Sequence, residues 1–83
     1  MSKEELKIGD YISFYDNNGK IKEGTICDIY KPTYGLQSYG IKIERINHSN
    51  AGYFVTYSYC RIYEGNILEV KDDELQGWRL YHI

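Results

Sequence analysis

The sequence lacks several features that define large classes of protein. It has no run of 18 apolar residues and no basic segment followed by an apolar one at its start, so we expect neither membrane insertion nor secretion. Its two cysteines, Cys27 and Cys60, do not have the Cys-x-x-Cys spacing of a metal site. We therefore expect a cytoplasmic protein without metal or cofactor. Both cysteines are expected to be reduced and to pack as small core residues, with a disulfide between them as the alternative.

Positive charge is also scarce. Ten Lys and Arg residues stand against twelve Asp and Glu residues, and the net charge is −2 with an isoelectric point of about 5.6. No overall field therefore attracts nucleic acid. The acidic residues gather between Glu64 and Glu74, where we expect a solvated face or a contact for a basic partner.

Isoleucine and tyrosine are present in excess. Eleven Ile and ten Tyr stand against one Ala and one Pro, and both abundant residues favour strands. Lysine outnumbers arginine seven to three, which fits AT-rich codons and hence a low-GC bacterium or one of its phages. A chain of this length and composition is expected to form a single domain, residues 1–83.

Short apolar-alternating segments separated by turn residues predict five strands. The predicted strands cover residues 11–15, 21–30, 41–46, 53–62 and 67–70. Asn18-Gly19 predicts a type I′ turn between the first two strands. Ile26 and Ile29 predict a bend in the second strand, because they lie three residues apart. The fourth strand carries apolar residues on both faces, so its pattern leaves open which face is core.

Short helical turns are expected at one or both ends of the chain. Residues 2–5 have the pattern of a capping box, and residues 72–75 have the acidic residues of a helix start. The apolar residues after Gly77 can instead pack back as an edge strand, so the C-terminal extension 72–83 stays open between helix and strand. The sequence thus predicts an all-β fold, a single small five-stranded barrel.

Residues 6–29, LKIGDYISFYDNNGKIKEGTICDI, resemble the opening hairpin of SH3-like small barrels of the KOW and Tudor kind. The features that match, in order, are Gly9-Asp10, Ile12, Phe14, Asn18-Gly19, Gly24 and Ile26. The resemblance implies a binding module, since such barrels bind nucleic acid, ribosomal components, methylated side chains or other proteins and are rarely catalytic. The chain departs from these barrels in its acidic charge and in the extension 72–83.

No catalytic arrangement is recognisable in the sequence. His48 lies in a polar turn and His82 is next to the last residue, and neither is spaced to activate a nucleophile. The chain also has no phosphate-binding glycine loop. We therefore expect a protein that is not an enzyme.

The tyrosines carry the most information about function. Most are expected at the edge of the core, with the ring inside and the hydroxyl outside. Three of them bracket a loop, and exposed loop tyrosines are common in interfaces. The residues predicted to form an apolar patch that docks a protein are Tyr30, Tyr34, Leu36, Tyr39 and Trp78.

Two functions follow from these residues. In the first, the chain is a non-catalytic binding protein, such as a small inhibitor or accessory factor, with self-association as one version. In the second, tyrosines stack on single-stranded nucleic acid. An aromatic cage for a methylated lysine is a third, less favoured version. The predicted phosphate contacts are Lys20, Lys22, Lys31 and Lys42. We favour the first function, because these lysines are spread over three segments and the overall charge is negative.

Overall fold

The computed structural model describes residues 5–74 and 76–81. Its strands are β1 (Tyr11–Tyr15), β2 (Ile21–Tyr30), β3 (Ser38–Ser49), β4 (Gly52–Tyr63), β5 (Ile67–Asp72) and β6 (Gly77–Leu80), with a 3-10 turn at Glu64–Asn66. All six pair antiparallel in one sheet, in the order β4-β3-β2-β1-β5-β6. The all-β class is confirmed. The five-stranded barrel is not: the sheet has six strands and is open, with β4 and β6 at its two edges.

The sixth strand forms where the sequence left helix and strand open. After β5 the carboxylate of Asp72 accepts a hydrogen bond from the Glu74 backbone N–H at 2.9 Å, and Gln76 has a φ of 52°. The chain then returns along β5 as β6. The helix expected at 72–75 is therefore wrong and the edge strand is confirmed, because aspartate side chains bond to nearby backbone and favour turns. The capping pattern at residues 2–5 lies outside the described residues except for Glu5.

The core lies on one face of the sheet, which we call the inner face. The buried apolar residues are Leu6, Ile12, Phe14, Ile26, Tyr39, Ile41, Ile62, Ile67, Val70 and Tyr81. Within residues 5–74 and 76–81 no helix or second sheet covers this face, so the strands must curve around their own side chains. A bulge in β5 at Leu68, opposite Ser13 and Phe14, and a bulge in β2 between Ile26 and Asp28 allow that curvature. The bend expected in β2 is confirmed.

The bulge in β2 also decides where the cysteines lie. Cys27 is the extra residue of the bulge and is exposed, so its prediction as a core residue is wrong. Cys60 is half-buried and packs against the core, where burial raises the pKa of its thiol. Both cysteines are free thiols.

The turn between β1 and β2 is organised by Asp16. Its carbonyl accepts the Gly19 N–H at 3.0 Å, and its carboxylate accepts the N–H groups of Asn18 and Lys20 at 2.8 and 2.9 Å. Gly19 has a φ of 78°, whereas Asn18 does not have a positive φ. The type I′ prediction is therefore wrong, and the loop is a three-residue hairpin loop with glycine at the bulge position.

The hairpin of β3 and β4 projects beyond the other strands of the sheet. β3 pairs with β2 only from Ser38 to Lys42, whereas it pairs with β4 along its whole length. Residues 43–58 therefore form a two-stranded ribbon, which we call the arm and which extends roughly 20 Å. The chain has a Cα radius of gyration of 14.4 Å, against about 12 Å for a compact domain of this length.

Gly24 lies where β3 parts from β2. A Cβ atom at this position would lie 2.6 Å from the Ile41 Cγ2 atom and 2.8 Å from the Lys42 carbonyl oxygen. Both distances are far shorter than a van der Waals contact, and the second involves backbone that cannot rotate away. The absence of a side chain at Gly24 thus allows β3 to pass close to β2 before the arm begins.

We expect Gly24→Ala to lower the free energy of unfolding by about 1–3 kcal/mol, because the added methyl group overpacks the contact with β3. Urea denaturation measures the change. Gly65→Ala is the matched control, since a Cβ atom there meets nothing within 4 Å. Equal stability of the two variants would contradict the close approach of β3 to Gly24.

We expect the stabilisation contributed by Asp16 to depend on pH. The Lys22 ammonium, 2.9 Å away, and the Lys20 N–H lower the pKa of Asp16 from 3.8 to about 2. The charged carboxylate therefore stabilises the fold above about pH 4, and this contribution is lost as the pH falls towards 2. Asp16→Asn should unfold at a lower urea concentration than the wild type at pH 7, and this difference should shrink by pH 2. A difference that is constant with pH would contradict a role for the charge.

Candidate functional site

Aromatic and lysine side chains form a row across the outer face of the sheet, opposite the core. The strand register places one residue from each strand in this row: Trp78, Lys71, Tyr11, Thr25, Lys42 and Tyr59. The ring centroids of Tyr11 and Trp78 lie 5.8 Å apart, and the Lys71 Nζ atom lies 5.9 Å from the centroid of Tyr11. The outer face is therefore a surface of partly exposed rings with cations beside them.

Carboxylates lie among these rings. The Tyr11 hydroxyl donates to Glu23 at 3.3 Å, and the Ser13 hydroxyl donates to Glu69 at 3.5 Å. Partial burial, followed by the charges of Glu23 and Glu44, raises the pKa of Tyr11. The outer face thus carries both signs of charge, which weakens its attraction for a polyanion.

The arm continues the apolar surface beyond the body of the sheet. Its exposed large apolar residues are Ile46, Tyr53, Phe54, Val55 and Tyr57, and Tyr59 adjoins them at the base. The register places Phe54 on the inner face and the others on the outer face. Tyr53 is 71% exposed and Phe54 is 52% exposed, so both faces of the arm display rings. Contiguous apolar surface of this kind marks interaction sites in soluble proteins.

Charge is confined to the base of the arm. Lys22 and Glu23 of β2 and Glu44 and Arg45 of β3 line a cleft between β2 and the arm, and the Lys42 Nζ atom lies 4.3 Å from the centroid of Tyr57. The segment of β4 from Gly52 to Cys60, GYFVTYSYC, has no charged residue and no proline. The β4 strand of the arm is thus uncharged, and the charged residues of the arm are on β3.

The structure divides the predicted protein-binding patch. Tyr39 is only 1% exposed and belongs to the core, where its hydroxyl accepts a hydrogen bond from the Gln37 amide at 2.6 Å. It cannot contribute to a surface patch, so this part of the prediction is wrong. Trp78 lies on β6 against Tyr11. The other three are neighbours in the chain, with Tyr30 at the end of β2 and Tyr34 and Leu36 in the loop that follows, and all three are exposed.

The four predicted phosphate contacts do not form one cationic patch. Lys22 pairs with Asp16, and Lys31 pairs with Glu5. Lys22 and Lys31 lie at opposite ends of β2, roughly 30 Å apart at 3.3 Å per residue. Lys20 lies in the first hairpin, and Lys42 lies in the middle of the outer face beside Tyr57.

The sequence interpretation did not identify the arm. The signal was present in two forms: apolar residues on both faces of the fourth strand, and the absence of charge from Gly52 to Cys60. A strand that is apolar on both faces is typical of a central strand buried on both sides. Only the pairing of β3 and β4 beyond the end of β2 shows that these residues are exposed.

No family model, curated protein or solved structure matches the chain. Among the described residues, no helix has the length and apolar character needed to cross a membrane. The same residues include no group of three His, Cys, Asp or Glu side chains that could hold a metal ion. Function is therefore inferred from the surface of this chain itself.

We expect Tyr39→Ala to lower the free energy of unfolding by about 3–5 kcal/mol, because it empties a fully buried aromatic site. Tyr34→Ala is the matched control. Tyr34 is 91% exposed, so its removal should change stability by no more than about 0.5 kcal/mol. Urea denaturation compares the two variants, and similar losses at both positions would show that the loop and the core are misassigned.

Proposed function

We propose that the chain is a non-catalytic protein-binding module whose main binding surface is the arm. The observation that carries this proposal is the exposure of Tyr53, Phe54 and Tyr57 on a ribbon that no other part of the described chain covers, with Tyr59 exposed at its base. Small size, an acidic surface and no recognised catalytic set suit an inhibitor or accessory factor. The resemblance of residues 6–29 to SH3-like barrels, which are mostly binding modules, agrees with this role.

The physical argument rests on the cost of exposing these rings. Each tyrosine or phenylalanine buries about 150–250 Å² when it is covered, and burial of apolar surface is favourable by about 25 cal/mol per Å². Tyrosine also keeps a hydroxyl for hydrogen bonding and loses little rotamer entropy, which makes it a frequent energetic anchor of interfaces. These exposed rings do not pack in the core and so do not stabilise it, and a role in binding at the surface accounts for them best.

The arm is also suited to reach into a partner. A two-stranded ribbon without a third strand or a packed neighbour is only marginally stable in water. A bound partner would cover the exposed faces of the arm. Tyr30, Tyr34 and Leu36 are a second exposed apolar group. They lie at the end of β2 and in the loop after it, at the opposite end of β3 from the tip of the arm, so they form a secondary contact in this proposal.

Single-stranded nucleic acid is the second candidate, and the row on the outer face favours it. Trp78, Tyr11 and Tyr59 present rings for stacking, with Lys71 and Lys42 between them. Base stacking on such rings is worth about 1–3 kcal/mol per base. Glu23, Glu44 and Glu69 weaken this candidate, because their charges repel phosphate.

The test is a pull-down from a lysate of a low-GC bacterium with the tagged chain, with and without nuclease. We expect one protein to be retained in both conditions. Tyr53→Ser combined with Tyr59→Ser should lower its affinity by at least about 30-fold, since two exposed aromatic anchors are removed. The thermal unfolding midpoint should be unchanged, because both side chains are exposed.

The matched control replaces Tyr34 and Leu36 with Ser, which removes exposed apolar residues outside the arm. If this control loses the partner and the arm variant keeps it, the loop is the binding surface instead. If nuclease abolishes all retention, the outer-face row and nucleic acid replace the protein partner.

A further inference from the structure

The two edges of the sheet are protected to very different degrees. β6 has four residues, and its Arg79 pairs with Asp72 of β5 at 3.3 Å. β4 has twelve residues, and its backbone edge on the side away from β3 pairs with no other strand of the described chain. Natural sheets shield a free edge with lysine, proline, bulges or short length. From Gly52 to Cys60, β4 has none of these protections.

We infer that the free edge of β4 binds a second copy of this chain, by antiparallel pairing around a two-fold axis at Thr56. This inference rests on the proposed function, in that it assigns an occupant to the arm. Pairing around Thr56 aligns Gly52 of one chain with Cys60 of its partner. The overlap therefore covers the whole uncharged segment and ends before Arg61.

The residues of this segment are complementary to themselves. In the pairing around Thr56, Tyr53 faces Tyr59 of the second copy, Val55 faces Tyr57, and Thr56 faces Thr56. Aromatic–aromatic, aromatic–β-branched and Thr–Thr pairs are the cross-strand combinations that stabilise antiparallel sheets. No charge lies opposite a like charge, although each chain has a net charge of −2.

The available surface is close to what a stable dimer needs. The rings of Tyr53, Phe54, Tyr57 and Tyr59 are between 50% and 71% exposed. At about 200 Å² each they provide roughly 500 Å² of aromatic surface per chain. Stable interfaces bury about 800 Å² per partner. The main-chain edge and the side chains of Val55 and Thr56 add to the aromatic surface. A foreign strand would satisfy the same hydrogen bonds, but the near-palindromic order Tyr-Phe-Val-Thr-Tyr-Ser-Tyr favours a second copy.

Sedimentation velocity over a range of concentrations tests the inference. We expect the wild type to sediment at twice the 9.8 kDa of one chain and to dissociate on dilution. Thr56→Lys and Thr56→Glu each place like charges together at the two-fold axis, and each should weaken the dimer at least about fivefold. An equal mixture of the two variants should restore it as a heterodimer, which also shows that both variants fold.

The matched control uses Thr33, an exposed threonine in the loop after β2. Thr33→Lys and Thr33→Glu should dimerise like the wild type. A second readout is hydrogen exchange: alternate amides of residues 53–59 should be protected in the dimer and lose that protection on dilution. A wild type that is monomeric at every concentration, or Thr56 variants that dimerise like the wild type, would overturn the inference.

These outcomes are separable from those of the proposed function. A monomeric chain that still retains a protein through Tyr53 and Tyr59 overturns the dimer and leaves the binding role in place. A dimer that retains no other protein supports the β4 pairing and counts against a foreign partner. The Thr56 variants allow both measurements on the same preparation.

Discussion

The close approach of β3 to Gly24 of β2 is the constraint on which the rest of the structure depends. On one side of this point β3 is an interior strand that buries Ile41 between β2 and β4. On the other side it is half of a ribbon with no third strand. Because β2 does not pair with β3 beyond Thr25, the fully buried part of the β3–β4 hairpin ends there. Ile43 still packs against the core, and the large apolar side chains farther along the hairpin are left to solvent or to a partner.

This division separates residues of the same type into different roles. Tyr39 and Tyr81 are buried, and their hydroxyl groups have protein partners, Gln37 and Glu64. Burial, followed by the hydrogen bond to Glu64, raises the pKa of Tyr81. Tyr53 and Tyr59 lie along the same hairpin as Tyr39 and are mostly exposed. Tyr53 is exposed because it lies beyond the end of the β2–β3 pairing, whereas Tyr59 is exposed because it lies on the outer face, opposite the core.

Charge follows the same division. Ion pairs connect the strands and loops of the body, as in Arg61 with Asp28 and Lys22 with Asp16. Gly40 permits the first of these pairs to cross β3, since a Cβ atom there would lie 3.0 Å from the Asp28 Cβ atom. The arm has no such pairs among its described residues, and β4 carries no charge from Gly52 to Cys60. Charged groups of the body form ion pairs, whereas one edge of the sheet carries exposed apolar residues without charge. An exposed apolar edge of this kind is typical of a surface that binds another chain.

Local pattern in the sequence determined the all-β class, the bounds of β1 and β2, the bend at Ile26 and Ile29, and the inward direction of Ile12, Phe14 and Ile41. These features depend on period-two alternation and on turn residues, which act over a few neighbours. Only the tertiary structure decided that Tyr39 is core, that the sheet stays open, that residues after Asp72 return as a strand, and that residues 52–59 of the fourth strand are exposed on both faces. Each of these depends on which strand lies alongside and where that strand ends, and the local pattern of the chain is the same for a buried central strand as for an exposed edge strand.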